Sequence, residues 1–131
     1  EMGNEPTEQF FEKLSDGTMI EDIMKHEQFL AIRNGKHGIF VFSGCSHKGV
    51  LPALRYTKKL FPNDRIAGLV AGMHLYSAGT DTRKAVVEKV IAENMDMVMP
   101  VHCTGMDAIC MLKTAMKDKC IVATAGDSYE F

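Results

Sequence analysis

Ile39-Phe40-Val41-Phe42-Ser43-Gly44-Cys45-Ser46-His47-Lys48-Gly49 begins with four consecutive apolar residues and ends in a loop of small residues around a histidine. An unbroken run of β-branched and aromatic residues reads as a strand buried on both faces, and the serines and glycines after it as a break. The arrangement occurs twice more. Ile66 to Val70 runs into Ala71-Gly72-Met73-His74, and Met97 to Val101 runs into His102-Cys103-Thr104-Gly105. The three histidines are 27 and 28 residues apart, which suits one strand–helix–strand unit each. Parallel strands so connected deliver their carboxyl ends to one sheet edge, where open α/β folds build their sites. Imidazole is the commonest side-chain metal ligand, so His47, His74 and His102 are candidate ligands of a shared metal site.

The segments between these runs support crossovers. Val50, Leu51, Leu54 and Leu60 recur at helical spacing, with Pro52 in the first turn and Phe61-Pro62-Asn63-Asp64 closing the helix. A second helix is expected from Thr80 or Asp81 to about Asn94, with Ala85, Val86, Val90 and Ile91 inward. A third is expected over Gly105 to Met116, with Met106, Ile109, Cys110 and Leu112 inward, and a last strand over Cys120 to Ala125. Upstream, Phe29 to Arg33, a Gly-bearing turn at Asn34 to Gly38, and Ile39 to Phe42 read as a β-hairpin. The expected fold is therefore α/β, with a mostly parallel or mixed sheet, an antiparallel edge hairpin and three flanking helices. Residues 1–25 read as an irregular N-terminal segment with turns at Gly3-Asn4-Glu5-Pro6 and Ser15-Asp16-Gly17-Thr18, and Phe10-Phe11 as its anchor.

At 131 residues the chain suits one domain with a hydrophobic core. A formal net charge of −2 makes no electrostatic case for nucleic acid or an anionic membrane as partner. No apolar run approaches a membrane span and no signal-peptide pattern is present, so a cytoplasmic location is expected. The four cysteines form no CxxC pair and are expected reduced, with Cys110 and Cys120 as small buried side chains. The chain opens on Glu1 rather than Met, as a piece or processed product would.

Other residues near the three strand ends carry chemistry. Cys45 and Cys103 flank proposed ligands and could bind metal as thiolates or serve as nucleophiles, although small side chains packed in tight loops are the plainer reading. Ser46, Lys48 and Thr104 lie at helix entrances, where free N–H groups favour anions or substrate phosphates. Asp107 and Asp127 could orient an imidazole. His26 and His37 read as solvated. A non-catalytic phosphate- or anion-binding α/β module, built on Ser46 to Gly49 and Thr104-Gly105, is the alternative to a metal enzyme. Cysteine-based acyl transfer lacks an evident third orienting residue.

Gly44-Cys45-Ser46-His47-Lys48-Gly49, Ala71-Gly72-Met73-His74-Leu75 and Val101-His102-Cys103-Thr104-Gly105, in this order, resemble motifs of metallo-β-lactamase-fold hydrolases. The branch they resemble is dihydropterin-ribofuranosylaminobenzene phosphate synthase-like. Glu27 to Ile32 is similar to its opening strand before the hairpin, and Ala125-Gly126-Asp127 to its closing strand. The resemblance implies that residues 26–131 are the C-terminal half of such a domain, about half of an αββα sandwich. It implies part of a metal-dependent, zinc-type hydrolase acting on a small phosphorylated, ester or heterocyclic substrate, with one or two ions of zinc or another divalent transition metal when intact. His47 and His102 would be ligands, and His74 would line or join the site. The superfamily's His-x-His-x-Asp-His motif is absent from this chain, so the segment alone is expected to be inactive. A homodimer could cover the apolar face left by the missing half.

Overall fold

The computed structural model describes residues 9–130. Its centre is a four-stranded sheet of β3 (Phe29–Asn34), β4 (Gly38–Ser43), β5 (Ile66–Gly72) and β6 (Met97–Val101), in that spatial order. The β3–β4 hairpin is antiparallel, with Asn34 opposite Gly38, whereas β4–β5 and β5–β6 are parallel. Helices α1 (Val50–Leu60) and α2 (Thr80–Ala92) form the crossovers, and α3 (Met106–Met116) follows β6. The expected α/β architecture with an antiparallel edge hairpin and three helices is the observed one.

All three helices pack on one sheet face. Val50, Leu51 and Leu54 of α1, Val86, Val87 and Val90 of α2, and Ala108 and Leu112 of α3 share a core with Ile39, Val41, Leu69 and Val98. On the opposite face Phe40, Ala67, Met97 and Met99 form a smaller cluster, edged by Phe42, Val70, Val101, Ile121 and Ala123. A β-bulge between Ile39 and Phe40 shifts the β4–β5 register, so Phe40 pairs with Gly68. Gly68 has no side chain because none fits there: a Cβ would lie 2.5 Å from the Phe40 ring and 2.9 Å from the Met97 sulfur. On the edge strand, Leu30 and Ile32 of this same face are 55% and 45% exposed, an apolar border beside the cluster.

Several expectations need correction. Residues Phe11–Lys13 (β1) and Met19–Glu21 (β2) form a small antiparallel hairpin where an irregular segment was expected. The Ser15–Thr18 turn joins them, with Asp16 Oδ1 accepting from Thr18 N and Gly17 at φ 89°. The expected turn at Gly3–Pro6 lies outside the described residues. The expected strand over Cys120 to Ala125 is reduced to one parallel bridge between Val98 and Cys120. Ile121 N donates to Val98 O, but the next outward position of β6 is Pro100, which has no N–H to continue the ladder. Helix facing also differs. Ala85, Met106 and Cys110 are exposed, and Val87 and Ala108 take inward places instead. Cys110 is thus not the buried side chain expected, whereas Cys120 is.

Candidate metal centre

The three loops after β4, β5 and β6 are stitched together by backbone and Thr104. Gly72 N donates to Gly44 O at 2.8 Å, and Leu75 N to Cys103 O at 3.1 Å. Buried Thr104 accepts from Met73 N at 3.1 Å and turns its hydroxyl toward Val101 O at 2.8 Å. A Cβ on Gly72 would sit 2.6 Å from Gly44 O and 3.1 Å from Cys103 Sγ, so glycine is what lets the first and third loops meet. Ser46, His74 and His102 all adopt left-handed backbone, with φ of 54°, 48° and 50°. Non-glycine residues held in that region cost energy and concentrate at functional sites.

Two groups of side chains result. In the first, one donor atom each from Cys45, His102 and Cys103 lies within 4.8 Å of the others, and Cys45 Sγ is 3.1 Å from His102 Nδ1. Burial pushes the Cys103 thiol up to about 11. In the second, His47 and His74 stack edge to face with ring centroids 4.7 Å apart. Phe10 covers both, at 4.6 Å from His47 and 5.8 Å from His74, and Tyr76 stands 5.3 Å from His74. Phe10 is therefore the anchoring member of the expected aromatic pair, and Phe11 is 56% exposed.

Glu27 organises the first loop. Its carboxylate accepts from His47 N at 2.5 Å and from Lys48 N at 2.8 Å, and lies 3.3 Å from His47 Nδ1. A carboxylate so placed orients an imidazole and directs its other nitrogen away, as acidic partners of metal-binding histidines do. The same contacts occupy the N–H groups that an anion-binding loop would offer. The Thr104 hydroxyl, the other proposed phosphate contact, points inward. Ser46 Oγ is engaged with Ser43 Oγ at 2.8 Å. Asp107 pairs with Arg83 at 2.9 Å, and Asp127 closes a C-terminal turn with Thr124 and Tyr129. His26 and His37 are exposed, as expected. No spacing rule links Glu27 to a histidine 20 residues later, so pattern reading did not single it out for the site.

Two sulfurs and an imidazole nitrogen are soft to borderline donors, suited to zinc and its neighbours, and three of them leave a position open for substrate or water. The donor set therefore fits a divalent transition metal.

No family model matches the chain. It superposes on Tm1679, a metal-dependent hydrolase of the β-lactamase superfamily, with a TM-score of 0.87 and 32% identity over 98% of its own length. The chain matches about half of a metallo-β-lactamase-superfamily fold. Two proteins of Methanocaldococcus jannaschii are also similar to it. One is an uncharacterized protein, 30% identical over 78% of this chain, and the other is 7,8-dihydropterin-6-methyl-4-(β-D-ribofuranosyl)-aminobenzene-5′-phosphate synthase, 26% identical over 91%. The chain spans 49% of the Tm1679 chain and 36% and 40% of the lengths of these two relatives.

Proposed function

We propose that the chain supplies one half of the metal centre of a zinc-type hydrolase acting on a small phosphorylated, ester or heterocyclic substrate. The observation that carries the reading is the meeting of Cys45, His102 and Cys103 beside the His47–His74 pair at the carboxyl edge of the sheet. When bound, a divalent ion supplies Lewis acidity toward a phosphoryl or carbonyl oxygen and acidifies water near neutral pH. His102, His47 and His74 are the candidate imidazole ligands, with Cys45 and Cys103 able to join them. Glu27 holds His47 in orientation, and Phe10 and Tyr76 pack against the imidazole pair. The remaining ligands come from a second half whose sheet packs over Phe40, Met97, Met99, Leu30 and Ile32, or a second copy of the chain covers that face.

The four cysteines are free thiols. Among the described residues no helix is long and apolar enough to cross a membrane.

Zinc titration by calorimetry on wild type and on the combined variant His47→Ala, His102→Ala tests the ligand assignment. Uptake by the wild type and its loss in the variant, with circular dichroism unchanged, is the expected result. Equal uptake by both proteins would remove these imidazoles as ligands, and no uptake by either would remove the metal reading for this chain.

A further inference from the structure

We propose that Cys45 and Cys103 are a reversible dithiol–disulfide pair. The two residues are 58 positions apart, on the loops after β4 and β6, and both are half-buried free thiols. Their sulfurs lie within 4.8 Å, and Cys103 Sγ contacts Cys45 O at 3.5 Å. Gly72 stands directly beneath them, since a Cβ there would be 3.1 Å from Cys103 Sγ and 3.2 Å from Cys45 Cα. No intervening side chain separates the sulfurs on that side. Closing that gap to the ~2 Å of a disulfide takes side-chain rotation within these two loops. Cys110 is exposed on α3 and Cys120 is fully buried beside Val98, so neither competes for this pairing.

The chemistry balances with a low-molecular-weight disulfide such as oxidised glutathione as oxidant. The Cys45 thiolate attacks one glutathione sulfur, the glutathione S–S bond breaks, and one reduced glutathione leaves with a proton. Cys103 then attacks Cys45 Sγ of the mixed disulfide, its thiol proton passing to the second glutathione as that thiolate is expelled. Two protein thiols are oxidised and one glutathione disulfide is reduced. Closure removes both sulfurs from the Cys45–His102–Cys103 donor set. The loop-to-loop bond also fixes the first and third loops against each other.

The test uses the full 131-residue chain in chelator, so its outcome does not depend on the hydrolase reading. The protein is equilibrated across a series of reduced-to-oxidised glutathione ratios, quenched with a maleimide and analysed by intact mass and peptide mapping. The expected result is reversible loss of the Cys45 and Cys103 thiols in a peptide linking the two, with Cys110 separately carrying glutathione or maleimide. Cys103→Ser halts the reaction at a glutathione adduct on Cys45. Gly72→Ala, whose methyl meets Gly44 O at 2.6 Å as well as Cys103 Sγ at 3.1 Å, parts the two loops and slows closure without removing a thiol. Maleimide labelling of both Cys45 and Cys103 at every ratio would overturn the proposal. So would a wild-type Cys45 adduct that never resolves.

Discussion

Glu27→Gln tests whether the first loop is held by charge. The Glu27 carboxylate accepts two backbone N–H groups, from His47 at 2.5 Å and Lys48 at 2.8 Å, and faces His47 Nδ1 at 3.3 Å. Hydrogen bonds to a charged group contribute ~1.5–3 kcal/mol each, and the carboxylate is 19% exposed, which puts each contact toward the lower end. Glutamine keeps one acceptor oxygen but turns an NH2 group toward the other donor, so one of the two backbone contacts becomes repulsive. The expected loss is about 2 kcal/mol, which in a chain of this size lowers Tm by roughly 6–8 °C. Losing an orienting carboxylate behind a metal-binding histidine costs 10–100-fold in metal affinity as an order of magnitude. Differential scanning calorimetry reads the first effect and competitive zinc titration the second. A variant that matches wild type in both would show that the loop keeps its shape through Ser43, Ser46 and Gly49 alone. A fall in Tm with unchanged zinc affinity would leave Glu27 as a brace for the loop and detach it from the site.

Two further outcomes follow from single positions. Gly68→Ala places a methyl 2.5 Å from the Phe40 ring, and only the flexible Met97 side chain can yield; the expected cost is about 1–3 kcal/mol, read as a lower urea midpoint at unchanged m-value, and a stabilised variant would refute the packing argument. Asp127 is held below its ordinary 3.8 by hydrogen bonds from the Thr124 backbone, the Thr124 hydroxyl and Tyr129. Because the folded value is the lower one, its contribution is present above 3.8 and is lost as pH falls through the folded value. Carboxyl-carbon NMR titration should place the folded midpoint below 3.8 and move it upward in Thr124→Ala, and a midpoint above 3.8 would contradict the turn geometry.

Much of the architecture was legible before any coordinates. Uninterrupted apolar runs such as Ile39 to Phe42 and Met97 to Val101, short and bounded by loop residues, read as buried strands, and the helical periodicity between them leaves a parallel sheet as the economical arrangement. The same reading located the three histidines at one edge, because parallel strands end together. Local pattern could not show how the short loops bend beyond the strand ends. Positive φ at Ser46, His74 and His102 decides where each side chain goes, and those angles depend on tertiary contacts such as Gly72 under Gly44 O. That is why the structure groups His102 with Cys45 and Cys103, stacks His47 on His74, and brings Glu27 and Phe10 in from the N-terminal side. The missing last strand is a middle case. Pro100 was visible in the sequence, but only the sheet order reveals that its absent N–H falls on the outer edge. Hydrophobic periodicity, a short-range property, determined the main sheet and its helices, whereas the site is assembled from contacts between residues as distant in sequence as Phe10 and His74, and only the folded chain brings those together.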